Sequence, residues 1–429
     1  MSRTLIANAR VLDPAQGLDG VRHVLIDGTK IAAVLTPGTA PEGTVDHHVD
    51  ASGQWLVPGA VDLAARFREP GHTAKADFAS ETRAAFAGGI TRFALPPDTH
   101  PVLDTPAMVV RVLRISKAAR SPWVMPLGAL TQGLAGQALA EMSALKAAGC
   151  VGLSQAAAPL DDPLLARRAL EYARGLGMTV HIQPLDARLA NGGCAHEGAT
   201  ATRLGLSPIP VAAEVAAMRF WISLVEDTGA RLHFGRLSTA RGADLVANAQ
   251  ARDLPISADV AAHQLFLTDA ALDGFDPAAH LMPPLRSEAD RLALRDAVRT
   301  GVIEAICSDH QPHEADAKRD PFPLTAAGAS GLELLWPLTL KWMTEDQVPA
   351  LAAVHRLTCA PARRLGLSLP RIEAGHPADV VLIQPDAPWT LDPARLLSRG
   401  RNTPLAGLSF DHRVAACWHL GVARHQRSD

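Results

Sequence analysis

The chain has 429 residues, 48% of them hydrophobic and 20% charged, and its 41 basic and 44 acidic residues give a formal net charge of −3. This length predicts one large domain with a smaller one, and the balanced charge argues against nucleic-acid and membrane-surface partners. With no signal-peptide core near Met1, no apolar run of the ~20 residues that span a membrane and no CxxC pair among the five cysteines, we expect a reduced, cytoplasmic protein.

Both ends of the chain carry short runs typical of strands, at residues 4–12, 22–35, 378–383 and 413–423. Asp27-Gly28 divides the second run and is a strong hairpin signal. Neither end has enough strands to close a sheet by itself. We therefore predict that the two ends pair into one small, split β-sandwich domain formed by residues 1–54 and 369–429.

Between these ends, residues 55–368 alternate between predicted strands and predicted helices. Buried strands are predicted at residues 56–63, 91–96, 123–128, 151–154, 178–182, 231–235, 255–260 and 302–308. Helical spacing of apolar residues covers 79–87, 134–148, 164–176, 211–226, 288–299 and 351–365. This alternation predicts an α/β fold, a (β/α)8 barrel of the TIM type. A doubly wound sheet is the weaker alternative, because no glycine-rich phosphate turn follows any strand.

Several helix boundaries carry their own signals. Asp162-Pro163 predicts an N-cap followed by proline at the first helical position. Ser287 with Asp290 resembles a capping box, and Gly149 and Gly301 stand where a C-terminal glycine belongs. These signals agree with the helices inferred from apolar spacing.

Residues 56–71, LVPGAVDLAARFREPG, place a charge cluster directly after the first predicted strand. Asp62, Arg66, Arg68 and Glu69 appear together where that strand ends. In a (β/α)8 barrel the active-site side chains lie at the carboxyl ends of the strands. The stretch therefore predicts a functional site at this end of the barrel.

The same stretch resembles the opening motif of the dihydroorotase branch of the amidohydrolase family, G-x-x-D-x-H-x-H-x-R-x-P-G. MPPLRSEADR at 282–291 is similar to that family's N-P-P-L-R-S-x-x-D-R, and SDHQPH at 308–313 is similar to T-D-H-A-P-H. The resemblance covers almost the whole chain and implies the family's barrel with its split β-domain. Allantoinase and hydantoinase ancestry stay open, although REPG and PPLRSE lean to dihydroorotase.

The resemblance implies six metal-ligand positions, of which two, His181 and Asp309, are kept. The other four are lost, at Ala64, Arg66, Gln155 and Arg236. Alanine donates nothing, and arginine stays protonated and puts a positive charge where the cation would sit. We therefore expect no metal and no other cofactor, with zinc only if the protein is an enzyme.

The kept residues have structural alternatives to their family roles. Asp309 stands at the family's catalytic aspartate, but it is a general base only beside a metal-bound water and otherwise a structural carboxylate. His181 fits a hydrogen-bonded histidine at a strand end better than a ligand without partners. If Arg66 and Arg236 fill the volume of the absent metals, we expect them to pair with Asp62 or Asp309.

Arg68 and His313 stand at positions where the family contacts its substrate. Two roles are open for Arg68: it binds a substrate carboxylate, or it only ties the first loop to Glu69 or another carboxylate. His313 is a candidate for contact with a bound ligand. Asp98 and Met282 take the places of two substrate-contacting asparagines.

Some branches of the family contain inactive members that lack the metal site and serve as structural partners of aspartate carbamoyltransferase. This resemblance implies a catalytically inactive dihydroorotase-like subunit of pyrimidine biosynthesis, in a homo-oligomer or hetero-oligomer with the carbamoyltransferase catalytic chains. Two alternatives stay open. One is an active cyclic amidohydrolase with a single metal on His181 and Asp309. The other is a regulatory module that holds a carboxylate-bearing pyrimidine through Arg66, Arg68 and Arg236.

Overall fold

Eight parallel strands form a barrel in the computed structural model, which describes residues 3–427. Each strand pairs with the next one along the chain, and the first and last meet through a bridge between Ala65 and His310. The barrel strands, in order, are Ala60–Asp62, Ile90–Leu95, Trp123–Ala129, Gly152–Ala156, Thr179–Ile182, Leu232–Phe234, Ile256–Ala261 and Ala305–Cys307. The predicted (β/α)8 barrel is confirmed, and the burial of its strands explains their continuous apolar runs.

Helices separate the barrel strands and cover the outside of the barrel. The α-helices are Phe78–Ala87, Pro106–Ala118, Met142–Ala148, Pro163–Gly175, Ala187–Ala190, Ala199–Leu204, Val211–Thr228, Ala240–Gln250, Glu288–Thr300, Leu335–Glu345, Ala350–Leu357 and Cys359–Arg364. Between residues 3 and 427, none of the helices is long and apolar enough to cross a membrane.

The predicted capping residues end their helices as expected. The Asp162 side chain accepts two hydrogen bonds from the first turn of its helix, and the Ser287 side chain accepts one from the Asp290 backbone. Gly149 and Gly301 end their helices in the left-handed conformation, with φ of 116° and 92°. Because these caps satisfy free backbone groups, they fix where the loops of the barrel begin.

Two predicted helices are shorter or divided in the structure. The helix predicted at 134–148 covers only Met142–Ala148, because Gly136 has a left-handed φ of 69° within the preceding loop. The helix predicted at 351–365 is divided shortly before Pro361, whose ring removes the N–H that a continuous helix would need. Apolar spacing alone does not detect either break.

Strands from both ends of the chain form a second sheet, here called the terminal sheet, with its own apolar core. Its strands are Arg3–Asp13, Leu18–Asp27, Lys30–Leu35, His47–Asp50, Trp55–Pro58, Val380–Gln384, Arg413–His419 and Val422–Gln426. The hairpin predicted at Asp27-Gly28 joins two of these strands. The split β-sandwich is thus confirmed, whereas its division from the barrel at residues 54 and 369 stays a prediction.

The apolar run predicted as the first barrel strand, residues 56–63, serves both sheets. Trp55–Pro58 pairs within the terminal sheet, and Ala60–Asp62 begins the barrel. Gly59 lies between them against Thr91, and a Cβ at Gly59 would meet that side chain at 2.2 Å. The prediction of one continuous strand was wrong, because the chain changes sheets at a glycine that packs too closely for any other residue.

The carboxylate of Asp62 joins the first barrel strand to the end of the last one. It is fully buried and accepts hydrogen bonds from the Ser308 backbone N–H, at 2.9 Å, and from the Ser308 hydroxyl. Burial raises the pKa of Asp62, and the bonds from Ser308 oppose that rise. Asp62 therefore holds together the two strand ends next to which the candidate functional residues lie.

We predict that Asp62→Ala lowers the free energy of unfolding by about 2–4 kcal/mol, because it leaves the buried N–H of Ser308 without an acceptor and its hydroxyl with only the longer bond to the Ala64 carbonyl, at 3.4 Å. Urea unfolding measures this loss. Asp244, which is exposed on the helix Ala240–Gln250, provides a matched control, and Asp244→Ala should change stability by less than about 0.5 kcal/mol. Equal losses in the two variants would contradict the conclusion that Asp62 holds together the ends of the first and last barrel strands.

Candidate functional site at the barrel mouth

Two buried arginine side chains meet one carboxylate at the barrel mouth, the space enclosed by the carboxyl ends of the barrel strands. Arg66 follows the first strand, Arg236 the sixth and Asp309 the eighth. Arg66 Nη1 lies 3.6 Å and Arg236 Nε 3.5 Å from Asp309 Oδ1. The arginine side chains are 7% exposed and the aspartate side chain 3%, so solvent screens these charges weakly. Asp62, the other carboxylate considered as their partner, is bonded to Ser308 instead.

Each of the two arginines beside Asp309 has a second hydrogen-bond partner on its other side. Arg66 Nε donates to Asp98 Oδ2 at 2.8 Å, and Arg236 Nη2 donates to Gln183 Oε1 at 2.6 Å. Burial disfavours the Asp98 carboxylate, yet the Arg66 cation holds the pKa of Asp98 below its ordinary value. Burial also disfavours the Arg66 cation, but Asp98 and Asp309 together raise its pKa. The barrel mouth thus contains the counter-charges of its own arginines.

Three residues of the barrel mouth have a left-handed backbone, which residues other than glycine rarely adopt. The angle φ is 52° at Ala156, 59° at Arg236 and 43° at Asp309, and each residue lies within two positions of the end of a barrel strand. Such conformations cost of order 1–3 kcal/mol each and concentrate at functional sites. The backbone therefore has a geometry typical of a functional site, although arginine stands at two of the positions that the resemblance implies for metal ligands.

His181, at the end of the fifth strand and at a ligand position that the resemblance implies, faces a nearly filled space. Its Nε2 is buried and has no hydrogen-bond partner among the described residues, unlike the hydrogen-bonded histidine expected from the sequence. The cavity beside it, lined also by Arg236 and Asp259, has a volume of ≈ 20 Å³, about enough for one water. Burial and the neighbouring His233 lower the pKa of His181 to about 3. The ring is therefore neutral, and a pyrimidine does not fit beside it.

Gln155 and Ala64, at the other two positions that the resemblance implies as lost ligands, serve local packing. Gln155 is buried, and its Oε1 accepts a hydrogen bond from Thr131 Oγ1 at 3.0 Å. Its Nε2 donates to the Leu134 carbonyl at 3.1 Å. Ala64 is 2% exposed and belongs to a small apolar cluster with Leu63. Gln155 therefore holds a loop in place, and neither residue offers the carboxylate or imidazole of a metal ligand.

Arg68 and His313, the two candidate substrate-contacting residues, lie next to each other. Arg68 Nη2 is 3.2 Å from His313 Nε2, and Lys75 Nζ is 2.9 Å from His313 Nδ1. Burial, with the charges of Arg68 and Lys75, lowers the pKa of His313 to about 3. Within residues 3–427 Arg68 forms no ion pair, and Glu69 instead accepts a hydrogen bond from the first turn of a helix. A tie between Arg68 and Glu69 is therefore not seen, and the substrate-binding role stays a prediction.

Sequence reasoning missed Asp259, which organises the mouth between the sixth and seventh strands. Its carboxylate accepts the Arg236 backbone N–H at 2.6 Å and lies 2.9 Å from His233 Nε2. A lone carboxylate inside the apolar run 255–260 was a usable signal, because a buried charge needs partners. Gln183 and Lys75 were missed too, and they gave no such signal, since their contacts arise only when separate loops meet.

The residues of the barrel mouth do not fit a zinc ion. Zinc takes three or four nitrogen, oxygen or sulfur ligands around one point, and within residues 3–427 no three His, Cys, Asp or Glu side chains are placed to hold a metal. Of the kept pair, Asp309 already has Arg66 and Arg236 beside it. Two unit charges of like sign at 4 Å repel by roughly 4 kcal/mol at an effective dielectric of 20, so the guanidinium groups oppose any further cation.

We predict that Asp309→Asn lowers the free energy of unfolding by about 3–5 kcal/mol, because it leaves two buried guanidinium groups without their shared carboxylate. A double-mutant cycle with Arg66→Met, followed by urea unfolding, should give a coupling of about 1–3 kcal/mol. The exposed pair Arg252 and Glu226 provides the control cycle, with an expected coupling below about 1 kcal/mol. Similar coupling free energies in the two cycles would show that the buried pair contributes no more to stability than an exposed ion pair.

Known proteins resemble this chain over nearly its whole length. The model of the dihydro-orotase-like family matches residues 53–241. A dihydroorotase-like protein of Pseudomonas aeruginosa is 46% identical over 410 residues, which cover 95% of this chain and 96% of that protein. A dihydroorotase-like protein of Pseudomonas putida is 44% identical and covers 94% of each chain. A protein named dihydroorotase, from Anaeromyxobacter dehalogenans, is 42% identical and covers 97% of this chain and 96% of its own length.

Solved structures share the fold. L-hydantoinase (dihydropyrimidinase) from Arthrobacter aurescens superposes with a TM-score of 0.89 at 19% identity, covering 100% of this chain and 97% of the other. Dihydropyrimidinase from Brevibacillus agri gives a TM-score of 0.84 at 19% identity, with coverage of 98% and 94%. This likeness shows a barrel of the amidohydrolase kind with a β-sandwich domain. Together with the relatives that match nearly the whole sequence, it leads to one conclusion: the chain belongs to the dihydroorotase-like protein family.

Proposed function

We propose that this chain is a catalytically inactive member of the dihydroorotase-like family that supports the assembly of aspartate carbamoyltransferase in pyrimidine biosynthesis. The proposed lack of catalytic activity is supported by one observation: two guanidinium groups pair with one carboxylate at the barrel mouth. Arg66 and Arg236 stand at two family ligand positions, and both face Asp309. Fixed positive charge thus occupies the site that metal cations would need.

The chemistry of ring opening explains why this arrangement opposes catalysis. Hydrolysis of a cyclic amide at neutral pH needs a hydroxide, which a bound metal supplies by lowering the pKa of its water from ~15.7 to about 7. Arginine lowers no water pKa in this way, and it does not act as a base because it stays protonated. His181 is neutral but offers only one nitrogen. The mouth therefore lacks a group that would generate the nucleophile.

One observation favours a second candidate, an active cyclic amidohydrolase with a reduced metal site. Relatives named dihydroorotase are 42% identical to this chain over 97% of its length. In that case His181 and Asp309 would have to hold a single metal ion, with Arg66 and Arg236 displaced from Asp309. The two candidates differ in metal content and in turnover of dihydroorotate, so one preparation tests both.

We predict less than about 0.1 zinc per chain, by elemental analysis of protein purified without chelators or a histidine tag, and no turnover of dihydroorotate. The physical reason is the shortage of ligands, since zinc needs three or four. One zinc or more per chain, with turnover that Asp309→Asn abolishes, would overturn the proposal in favour of the enzyme.

A variant that restores ligands provides the matched control for this measurement. In the triple variant Ala64→His, Arg66→His, Arg236→His, three imidazoles replace an alanine and two fixed cations. Joined by His181, they supply the ligand number that zinc prefers, so we expect its zinc content to rise severalfold above that of the parent chain. An unchanged zinc content in a folded triple variant would show that these positions do not explain the low metal content of the parent.

The partner in this proposal rests on the resemblance to inactive family members described above. We predict that the purified chain and the aspartate carbamoyltransferase catalytic chain of the same genome elute together from a sizing column at micromolar concentration. The complex should persist at about 0.5 M salt, where charge contacts between exposed groups are largely screened. Separate elution both at low salt and at about 0.5 M salt would rule out the assembly role. It would not bear on whether the chain is an active enzyme.

A further inference from the structure

A cavity of ≈ 530 Å³ lies between the terminal sheet and the outside of the barrel. Its walls come from the strands Arg413–His419 and Val422–Gln426, from the segment 388–397 and from two helices of the barrel. Among the described residues, none lines both this cavity and the small one beside His181. Small-molecule sites in proteins typically enclose about 300–1,000 Å³, so this cavity has the size of a ligand site separate from the barrel mouth.

Three arginines from separate parts of the chain line this cavity. Arg395 lies in the segment 388–397, Arg413 begins one strand of the terminal sheet, and Arg427 directly follows another. Within residues 3–427, the side chains of Arg395 and Arg427 form no hydrogen bond and no ion pair. Guanidinium groups stay protonated, and like charges gathered around one cavity repel each other unless an anion joins them. At least two of these cations are therefore available to an anionic ligand.

Aromatic packing holds the third cation at the cavity wall. Arg413 Cζ lies 5.4 Å from the centroid of the Trp389 ring, a cation–π contact of the kind that arginine favours. Phe410 stacks against Trp389 with the ring centroids 4.8 Å apart, and Trp389 Nε1 donates to the His412 carbonyl at 3.0 Å. Because the indole ring is itself fixed, the Arg413 guanidinium is positioned before any ligand arrives.

The two carboxylates that line the cavity are directed to backbone groups. Asp392 Oδ1 accepts a hydrogen bond from the Ala394 N–H at 2.9 Å. Glu333 Oε1 accepts two, from the Leu397 N–H at 2.8 Å and the Ser398 N–H at 3.1 Å. Burial raises the pKa of Glu333 to about 7, so this group carries only part of a negative charge at neutral pH. With three arginines against these two carboxylates, the lining has an excess of positive charge.

The cavity also has an apolar wall that an inorganic ion would leave uncovered. Leu397 is 44% exposed and lines the cavity together with Pro337 and Pro388. A phosphate ion at the arginines would leave this wall in water and most of the volume empty. A molecule with both anionic oxygens and an organic body would cover the wall as well, and removal of apolar surface from water favours binding.

We propose that this cavity binds a small organic polyphosphate of about the size of a nucleotide. Its phosphate oxygens accept hydrogen bonds from the guanidinium groups of Arg395, Arg413 and Arg427, because the forked N–H donors of arginine match phosphate oxygens. Its organic body lies against Leu397 and Pro388. The site is separate from the barrel mouth, so it does not depend on the proposed function.

Isothermal titration calorimetry of the purified full chain with ATP tests this site. The buffer contains no divalent cation, because a metal ion would cover the phosphates. We expect one ATP per chain. Inorganic tripolyphosphate should bind at least about tenfold more weakly, since it has the charge but no organic body. Adenosine, which lacks the phosphates, should give no measurable binding.

Three variants change the cavity in different ways. Arg395→Gln and Arg427→Gln each remove one guanidinium, and Thr390→Trp fills the cavity without a change of charge, because Thr390 lines it. Each should raise the Kd for ATP at least about tenfold. Arg252→Gln is the matched control, because Arg252 is exposed and stands outside this lining, and its Kd should stay within about twofold of the parent value. Thermal unfolding of every variant checks that it is folded.

Each contrary outcome overturns a stated part of the proposal. Absence of ATP binding by the parent chain would overturn the site. So would ATP binding that none of the three variants weakens, or that Arg252→Gln weakens as much as they do, because the attraction would then be general. Tripolyphosphate that binds as tightly as ATP would overturn the organic ligand, since the apolar wall would contribute nothing. None of these results bears on dihydroorotate turnover or on elution with the carbamoyltransferase.

Discussion

Charge balance in a buried space is the constraint on which the barrel mouth depends. Each guanidinium of Arg66 and Arg236 is attracted to Asp309 by roughly 5 kcal/mol at these separations and an effective dielectric of 20. Removing a charged group from water costs several kcal/mol, so the attraction offsets a burial that would otherwise be unfavourable. Asp309 also stands between two cations that would repel each other without it. Asp98 and Gln183 then accept one further N–H from each arginine.

The same balance links the two arginine positions to each other. A metal ion at the mouth needs neutral or anionic side chains at both positions, because a fixed cation beside the metal raises the free energy of the bound state. With Arg66 present, a metal next to Asp309 is opposed even if position 236 carries a ligand. The converse holds with Arg236 present. By this argument, metal binding at the mouth requires that both guanidinium groups be removed, and removal of one alone gains little.

Much of the fold and the membership of the site followed from the sequence, because strand ends of a parallel barrel must converge. Residues placed after different strands, such as Arg66, Arg236 and Asp309, were therefore predictable neighbours. Asp62 and Asp309 were both predicted as partners of the arginines, but the choice between them was not predictable: Asp62 bonds to Ser308, and Asp309 pairs with both arginines. The division of the apolar run at Gly59 was equally hidden, because it depends on a close approach to Thr91 that no local pattern encodes.

The filled mouth also limits which molecules can reach the centre of the barrel from solvent. An enzyme must keep this face open, because substrate enters and product leaves through it. Here the space beside His181 has a volume of ≈ 20 Å³, about enough for one water, so a substrate-sized molecule does not fit there. Arg236, which pairs with Asp309, also lines this space, so a group that balances the buried charge is one of the groups that fill the mouth.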